Sequence, residues 1–211
     1  MDQSPPLRIA VLGSGRGSNF VALAEAVRSR ALPIDIRLVI SDVESAPILI
    51  HARYRDIQAH FIPPGGFRTK LDEAAEAAYL AALDEAGVEF IVLAGFMRIL
   101  KGPLLHRFAG RVVNIHPSLL PAFPGLNAWQ QALDYGVKVT GCTVHLVDEG
   151  VDTGPILAQR AIPVLDGDTA ISLHERIQMA ERDLYPEVVG ALARKEIQVR
   201  GRLTRGFSGG R

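Results

Sequence analysis

The sequence of 211 residues contains one cysteine, Cys142, and its apolar runs are far shorter than the stretch of about 20 residues that crosses a bilayer. A lone cysteine forms no internal disulfide, which excludes a disulfide scaffold and favours a reducing compartment. Neither charge sign is in excess, because Lys and Arg total 23 and Asp and Glu total 23. No overall field therefore attracts nucleic acid or an anionic membrane. The N-terminal residues also lack the pattern of an export signal. These absences predict a cytoplasmic protein that binds neither nucleic acid nor membrane.

Short apolar runs alternate with helix-period segments through the first half of the chain. The runs are rich in Val, Ile and Leu without polar alternation, which is typical of strands buried on both faces of a parallel sheet. The alternation predicts an α/β fold with a twisted, mostly parallel sheet, helices on both faces and a Rossmann-like N-terminal half. Strands are expected at residues 8–12, 34–41, 59–62, 90–94 and 112–115, and helices at 19–30, 47–55, 70–86 and 101–108.

The second half of the chain has a different pattern. Three prolines and a glycine in residues 116–127 predict a stiff, ordered loop, followed by a short helix at 128–135. The β-rich stretches 140–147 and 155–164 predict an antiparallel C-terminal hairpin that extends the sheet. A long helix is expected at 169–194, with Asp168 as its N-cap. The remaining prediction is one domain over residues 1–211, with an ordered core at 7–195 and a flexible basic tail at 196–211.

A glycine-rich segment, Gly13-Ser-Gly-Arg-Gly-Ser-Asn19, follows the first predicted strand and opens the first predicted helix. Glycines allow a tight turn and the close approach of a ligand, and the free N–H groups of a helix start attract an anion. The segment therefore favours phosphate binding over a plain strand–helix turn. The dinucleotide fingerprint is incomplete, because Ser18 occupies the third glycine position. Asp42 ends the second strand, where it could bind a ribose, so nicotinamide binding stays an alternative.

Asn114 and His116 are two residues apart at the end of the fifth predicted strand, so both side chains should project from the same face. Ligand sites in open α/β sheets lie at such strand ends. A carboxamide beside an imidazole can stabilise a developing oxyanion and move a proton. The turn that follows the first strand of the hairpin contains Asp152, which would raise the pKa of His116 if it lies beside the ring. His145 either faces this site or is a buried sheet histidine. No cluster has metal-ligand spacing, so no metal is expected.

Four segments together carry a resemblance to a known family. They are Gly15-Arg-Gly-Ser-Asn19, Leu93-Ala-Gly-Phe-Met-Arg-Ile-Leu100, Asn114-Ile-His-Pro-Ser-Leu-Leu-Pro121 and Asp152-Thr-Gly-Pro155. On these segments, the sequence over residues 7–195 resembles the phosphoribosylglycinamide formyltransferase family, the folate-dependent transformylases of purine synthesis. This resemblance implies the formyltransferase fold and the transfer of a formyl group from 10-formyltetrahydrofolate to the primary amine of 5-phosphoribosylglycinamide. Many relatives have His where this chain has Asn127.

The resemblance also implies roles for individual residues. Asn114 would donate to the oxyanion of a tetrahedral intermediate, a protonated His116 would stabilise it and transfer protons, and Asp152 would keep the pKa of His116 up. Other residues are expected to bind the ribonucleotide and the folate. The ribonucleotide residues are Gly17, Ser18, Asn19 and Glu181; the folate residues are Lys70 (with Arg68 as the alternative), Met97, Arg98, Ile99, Leu100, Asn114, Asp148 and Asp152.

Other enzymes that use formyl folates share the Asn-x-His and Asp pattern. A 10-formyltetrahydrofolate deformylase, which needs water in place of the amine, is the nearest alternative. Its N-terminal regulatory domain is not expected here, and neither is the C-terminal tRNA-binding domain of a methionyl-tRNA formyltransferase. A non-catalytic nucleotide-binding module would explain the glycine-rich segment but not the paired Asn114 and His116. Small-molecule substrates and a monomer or weak homodimer are expected.

Overall fold

The chain folds into alternating strands and helices that are followed by a hairpin and a long helix. The computed structural model describes residues 5–207. Described residues up to Val113 form one compact unit, and those from Asn114 onward form a second. The elements in chain order are β1 (Leu7–Leu12), α1 (Ser18–Ser29), β2 (Ile34–Ser41), α2 (Pro47–Arg53), β3 (Gln58–Phe61), α3 (Glu73–Glu85), β4 (Phe90–Leu93), α4 (Gly102–Arg107), β5 (Val112–His116), α5 (Ala128–Tyr135), β6 (Val139–Leu146), β7 (Ile156–Pro163), α6 (Ala170–Ala193), β8 (Gln198–Arg200) and β9 (Leu203–Arg205).

The strands form a seven-stranded sheet with the order β3-β2-β1-β4-β5-β6-β7. Strand β1 pairs in parallel with β2 and with β4, and β2 pairs in parallel with β3. Strand β6 pairs antiparallel with β7, in a register that joins Val139 to Pro163. The prediction of a mostly parallel α/β sheet with an antiparallel C-terminal hairpin is therefore confirmed. The single formyltransferase domain stays a prediction.

Burial of β1 on both faces explains its unbroken apolar sequence. Residues 9–12 of this strand are fully buried, as are residues 38–40 of β2 and Ile91 and Val92 of β4. A strand that is covered on both faces has no position that favours a polar side chain. Because these three strands are parallel, their carboxyl ends lie at one edge of the first unit, where ligand sites are usually built.

Capping side chains explain how two helices begin. Helix α3 begins at Glu73 rather than at residue 70, because the Asp72 carboxylate caps it by accepting from the amide of Ala75 at 2.9 Å. The N-cap of α6 is Thr169 rather than Asp168. The Thr169 hydroxyl accepts from the amide of Ser172, and the Ser172 hydroxyl accepts from the amide of Thr169, which is a reciprocal capping pair. Asp168 instead closes the preceding turn by accepting from the amide of Leu165 at 2.7 Å.

The prediction of a flexible tail after Glu196 is wrong for residues 198–205. These residues form an antiparallel hairpin in which Gln198 of β8 faces Arg205 of β9, with Gly201 in the left-handed conformation at the turn. The hairpin is held to the rest of its unit by two hydrogen bonds. The Thr204 hydroxyl donates to the carbonyl of Ile156 and the Arg202 guanidinium donates to the carbonyl of Thr153, both at 2.8 Å. Arginine and glycine content alone does not reveal such partners. Residues 208–211 of the predicted tail lie outside the described residues.

Within residues 5–207, no helix combines the length and the apolar character needed to cross a membrane.

Candidate active site

The glycine-rich segment turns from β1 into α1 along a path that excludes side chains at two positions. A Cβ atom on Gly13 would lie 2.7 Å from the main-chain oxygen of Ala94. Gly17 has φ 75° and a Cβ there would lie 2.7 Å from Ile48. Gly17 is also the N-cap of α1, and the first turn, which contains Ser18 and Asn19, carries no acidic residue. The N–H groups of this helix start therefore lie at a positive end that no acidic residue of the first turn neutralises.

Residues 97–100, which follow β4, are held by neighbouring loops of the first unit. The amide of Met97 donates to the Ser14 hydroxyl at 2.8 Å, and the amide of Ile99 donates to the carbonyl of Thr69, also at 2.8 Å. Lys70 forms an isolated parallel bridge with Ile99. Its ammonium group lies 4.3 Å from the ring centre of Phe67. Lys70 is therefore a bridge residue ahead of α3 rather than part of that helix. Among residues 97–100, Met97 is exposed and Leu100 is buried.

Asp42, the residue on which the nicotinamide alternative depended, has a buried side chain. Its Oδ2 accepts from Nε of Arg98 at 2.7 Å. A ribose ligand needs a carboxylate that solvent and substrate can reach, and the Asp42 side chain is only 1% exposed. The carboxylate therefore serves an internal ion pair, which removes the main support for nicotinamide binding.

The second unit brings four polar side chains into one cluster. His116 Nδ1 lies 3.3 Å from Oδ2 of Asp152, and His145 Nε2 lies 3.6 Å from Oδ1 of the same carboxylate. The amide nitrogen of Asn114 lies 3.2 Å from Nε2 of His145. Asn114 and His116 are positioned by β5, His145 by β6 and Asp152 by the loop that precedes β7. The predicted proximity of His116 and Asp152 is therefore observed, and His145 joins them.

Burial dominates the electrostatics of His116. Its Nε2 donates to the carbonyl of Phe123 at 2.9 Å, and its Nδ1 faces Asp152. Burial lowers the pKa of His116, and the charge of His145 adds to this effect. Asp152 and the Phe123 carbonyl raise it, but the net pKa lies below the ordinary 6.5. The expectation that Asp152 keeps the pKa of His116 up is thus correct for the carboxylate's own effect and wrong for the net result, because desolvation is larger.

Asp152 is held in the ionised form by its surroundings. Burial by itself raises the pKa of this carboxyl, but the neighbouring His145, the Gly125 amide and the nearby His116 lower it overall. The Gly125 amide donates to Oδ2 at 2.8 Å. Asp152 also has φ 55°, a left-handed conformation that aspartate tolerates better than most side chains. The site therefore contains a fixed negative charge beside a neutral imidazole.

His145 orients the amide of Asn114. Nδ1 of His145 lies 2.9 Å from the carbonyl of Leu146, which only accepts, so this nitrogen carries the proton. With Nδ1 as the donor, Nε2 can accept one hydrogen of the Asn114 amide, whose nitrogen lies 3.2 Å away. The second hydrogen of that amide remains available as a donor. The alternation of His145 with Thr143 along β6 was the only sequence signal for this role.

Main-chain groups of the loop at residues 116–127 complete the cluster, and sequence reasoning missed them. Phe123 supplies the carbonyl that His116 contacts, and Gly125 supplies the amide that Asp152 contacts. The loop itself is fixed by Thr143, whose hydroxyl donates to the carbonyl of Ser118 at 2.6 Å and accepts from the amide of Leu120 at 3.0 Å. The prolines predicted an ordered loop, which is confirmed, but not the direction of its carbonyl and amide groups.

Two further residues expected at the site also lie in the second unit. Glu181 is buried on α6, and its charge contributes, after burial, to raising the pKa of Cys142 of β6 to about 12. Asp148 follows β6, where its Oδ1 accepts from the Thr153 hydroxyl at 2.6 Å and shapes the turn. Within residues 5–207, no group of three or more His, Cys, Asp or Glu side chains is arranged to hold a metal ion.

The cluster and the fold define a class of enzyme. A profile of the Formyl transferase family matches residues 7–189, so this chain belongs to the formyl transferase family. The resemblance drawn from the four sequence segments is thereby confirmed. The chain is 45% identical over 204 residues to phosphoribosylglycinamide formyltransferase of Mycobacterium tuberculosis, covering 94% of this chain and 91% of that one. The solved structure of glycinamide ribonucleotide transformylase 1 from Symbiobacterium toebii matches with a TM-score of 0.92 and 44% identity, covering 98% of this chain and 96% of that one.

Two other matches differ in length from this chain. It spans only 14–19% of the trifunctional purine biosynthetic proteins adenosine-3, to which it is 41–46% identical. A formyltetrahydrofolate deformylase from Pseudomonas syringae matches with a TM-score of 0.88 and 27% identity, covering 96% of this chain and 66% of that one. The same fold therefore occurs in a protein named as a deformylase, and fold alone does not separate transfer to an amine from transfer to water.

Proposed function

We propose that this protein transfers the formyl group of 10-formyltetrahydrofolate to the primary amine of 5-phosphoribosylglycinamide, a reaction of purine synthesis. The observation that carries the proposal is the cluster of Asn114, His116 and Asp152 in a chain of the formyl transferase family. The names of its relatives supply the substrate class. Asn114 provides an N–H donor, His116 provides a neutral imidazole and Asp152 provides a fixed negative charge.

The reaction needs one proton to leave the attacking amine and one to reach the departing nitrogen. The amine nitrogen attacks the formyl carbon, and the carbonyl electrons move to oxygen. The free N–H of Asn114 donates to this oxyanion. His116, neutral because burial lowers its pKa, takes a proton from the amine as a general base. The bond between the formyl carbon and the folate nitrogen then breaks, and His116 returns a proton to that nitrogen. The products are a formamide and tetrahydrofolate.

Asp152 acts on the charged state of His116. When the imidazole takes the proton, both nitrogens carry hydrogen, and each then has an acceptor. The Phe123 carbonyl accepts from Nε2 at 2.9 Å, and the Asp152 carboxylate faces Nδ1 at 3.3 Å. The carboxylate attracts the His116 ring weakly while the ring is uncharged and strongly once the ring is protonated during the reaction. Asp152 therefore lowers the barrier rather than stabilising the resting site. Asp152 therefore belongs to the catalytic set, and His145 positions Asn114.

The binding groups are assigned residue by residue. The phosphate of the ribonucleotide is assigned to the start of α1, at Gly17, Ser18 and Asn19, where N–H groups lie at the positive end of a helix. Glu181 is assigned to the glycinamide portion. The folate donor is assigned to the residues that the family resemblance implies, which are Lys70, Met97, Arg98, Ile99, Leu100, Asn114, Asp148 and Asp152. No metal takes part in these steps.

The test is a paired absorbance assay with a 10-formyl folate donor, run with and without 5-phosphoribosylglycinamide. Loss of donor that depends on the ribonucleotide, with the formyl group recovered on its amine, supports the transferase. His116→Ala serves as the inactive control on the same substrates.

Deformylase activity is the second candidate, because a named deformylase shares the fold. Loss of donor at the same rate without the ribonucleotide would replace the transferase with a hydrolase. Absence of donor loss in both arms, with the ribonucleotide still bound, would favour a non-catalytic nucleotide-binding module.

A further inference from the structure

Residues 97–100 are held by three contacts, which we call ties, with other segments of the first unit. Two ties are hydrogen bonds from the amides of Met97 and Ile99, to Ser14 and Thr69 respectively. The third tie is the side chain of Arg98, which extends toward the end of β2. Each tie restricts the position of a segment that is not part of a helix or strand.

The Arg98 guanidinium joins loops that are distant in sequence. Its Nε donates to Oδ2 of Asp42 at 2.7 Å, and its Nη1 donates to the carbonyls of Phe67, at 3.3 Å, and Arg68. The planar guanidinium holds its donors in a fixed geometry, so three acceptors on two loops define its position closely. Arg98 is 18% exposed, whereas the Asp42 side chain is 1% exposed.

The buried Asp42 carboxylate depends on Arg98 for a partner of opposite charge. A buried carboxylate needs a partner charge, because leaving water costs several kcal/mol. Oδ1 of Asp42 is buried and has no hydrogen-bond partner among residues 5–207. The contact between Oδ2 and Arg98 is therefore the one that offsets the cost of burying the carboxylate charge. The fully buried Tyr79 is close enough to sense both charges. Its pKa is raised by burial and by Asp42, while Arg98 acts in the opposite direction.

We propose that Asp42 is a positioning residue for the formyl donor, acting through Arg98 on the main chain of residues 97–100. This inference rests on the proposed function, which assigns that segment to the folate. Asp42 is too deeply buried to touch a substrate, so its effect reaches the donor only through Arg98. Buried ion pairs add little net stability but specify one geometry, which is the property a ligand-holding loop requires.

The test compares Asp42→Ala and Asp42→Asn with Asp35→Ala. Asp35 lies on β2, the strand that ends immediately before Asp42, in an exposed pair with Arg37 at 3.2 Å, and is the matched control. In Asp42→Ala we expect the KM for the formyl donor to rise at least about tenfold, because one charged hydrogen bond is lost. The KM for the ribonucleotide and kcat should change less than about twofold. Asp42→Asn keeps an acceptor for Arg98 and should give a smaller rise. Asp35→Ala should match the wild type.

A second readout separates this inference from the proposed function. Amide hydrogen exchange of Ile99, whose N–H donates to Thr69, should be faster in Asp42→Ala than in the wild type and in Asp35→Ala. If the wild type transfers no formyl group, the proposed function fails and the exchange result alone decides the positioning role. If transfer occurs but the donor KM is unchanged, or both KM values rise equally, the inference is overturned and the transferase stands. Should Asp42→Ala not fold, Asp42→Asn decides by the same two readouts.

Discussion

Replacing Asp152 with Asn removes one charge from the cluster and keeps its shape. The side-chain oxygen of Asn can still accept from the Gly125 amide, which is 2.8 Å from Oδ2 in the wild type. What is lost is the attraction between the carboxylate and the imidazolium that His116 becomes during the reaction. The two groups are 3.3 Å apart, and the Asp152 side chain is 12% exposed.

The distance bounds the effect on the rate. Unit charges 3.3 Å apart attract by about 1.3 kcal/mol in water and by about 5 kcal/mol at the effective dielectric constant of 20 used for protein sites. Since each 1.4 kcal/mol is about tenfold in rate, these limits correspond to about tenfold and several thousandfold. A carboxylate that is mostly buried lies between them. We expect kcat of Asp152→Asn to fall by about a hundredfold, or about 2.7 kcal/mol.

The assay is steady-state donor consumption with 5-phosphoribosylglycinamide, measured across pH. The matched control is Asp166→Asn, because Asp166 is 99% exposed in a surface pair with Lys138 and should leave kcat unchanged. In the wild type kcat/KM should fall as pH drops through the pKa of His116, which lies below 6.5. Because Asp152 raises that pKa, its replacement should move the acid limb to lower pH. A folded Asp152→Asn protein with kcat within threefold of the wild type and an unmoved acid limb would refute the reasoning.

Three further substitutions test other parts of the site. His116→Ala should lower kcat by about a hundredfold or more. It should also flatten the pH dependence of urea unfolding. The wild type should lose stability as pH falls below 6.5, because the imidazole of His116 binds a proton more readily in the unfolded chain than in the folded one. An equal loss of stability in His116→Ala would contradict the lowered pKa of His116. Asn114→Ala removes an oxyanion donor and should lower kcat by about a hundredfold; a loss confined to the KM for the formyl donor would leave Asn114 with its folate-binding role alone. Gly17→Ala should lower the free energy of unfolding in urea by about 1–2 kcal/mol, because its φ is 75° and Ile48 lies where the Cβ would be. Gly15→Ala meets no atom within 4 Å and is the stability control; equal losses in the two variants would show that the left-handed turn is not the cause.

Local sequence predicted several elements of the chain closely. Strand β2 and helix α5 have the predicted bounds, and β1, β4 and β5 differ from prediction by one residue at one end. Buried parallel strands are apolar on both faces and so stand out from the helices between them. The hairpin of β8 and β9 was missed because its strands have only three residues each and depend on contacts with Ile156 and Thr153.

Much of the candidate catalytic cluster was also predictable. The spacing of Asn114 and His116 on one strand placed both at a strand end, and Asp152 was named as the carboxylate to test. The role of His145 stayed open, because a strand position does not reveal the atoms around the ring. Its contacts with Leu146 and Asn114 are set by the packing of β6.

The sequence by itself determined the fold class, the glycine-rich turn and the residue types of the candidate catalytic cluster, because each depends on local spacing and periodicity. Tertiary structure decided the direction in which the pKa of His116 shifts, because burial lowers it more than Asp152 raises it. It also turned Asp42 from a candidate ribose ligand into the buried partner of Arg98. Desolvation and pairing between residues that are distant in sequence are properties of the folded chain, and no short motif encodes them.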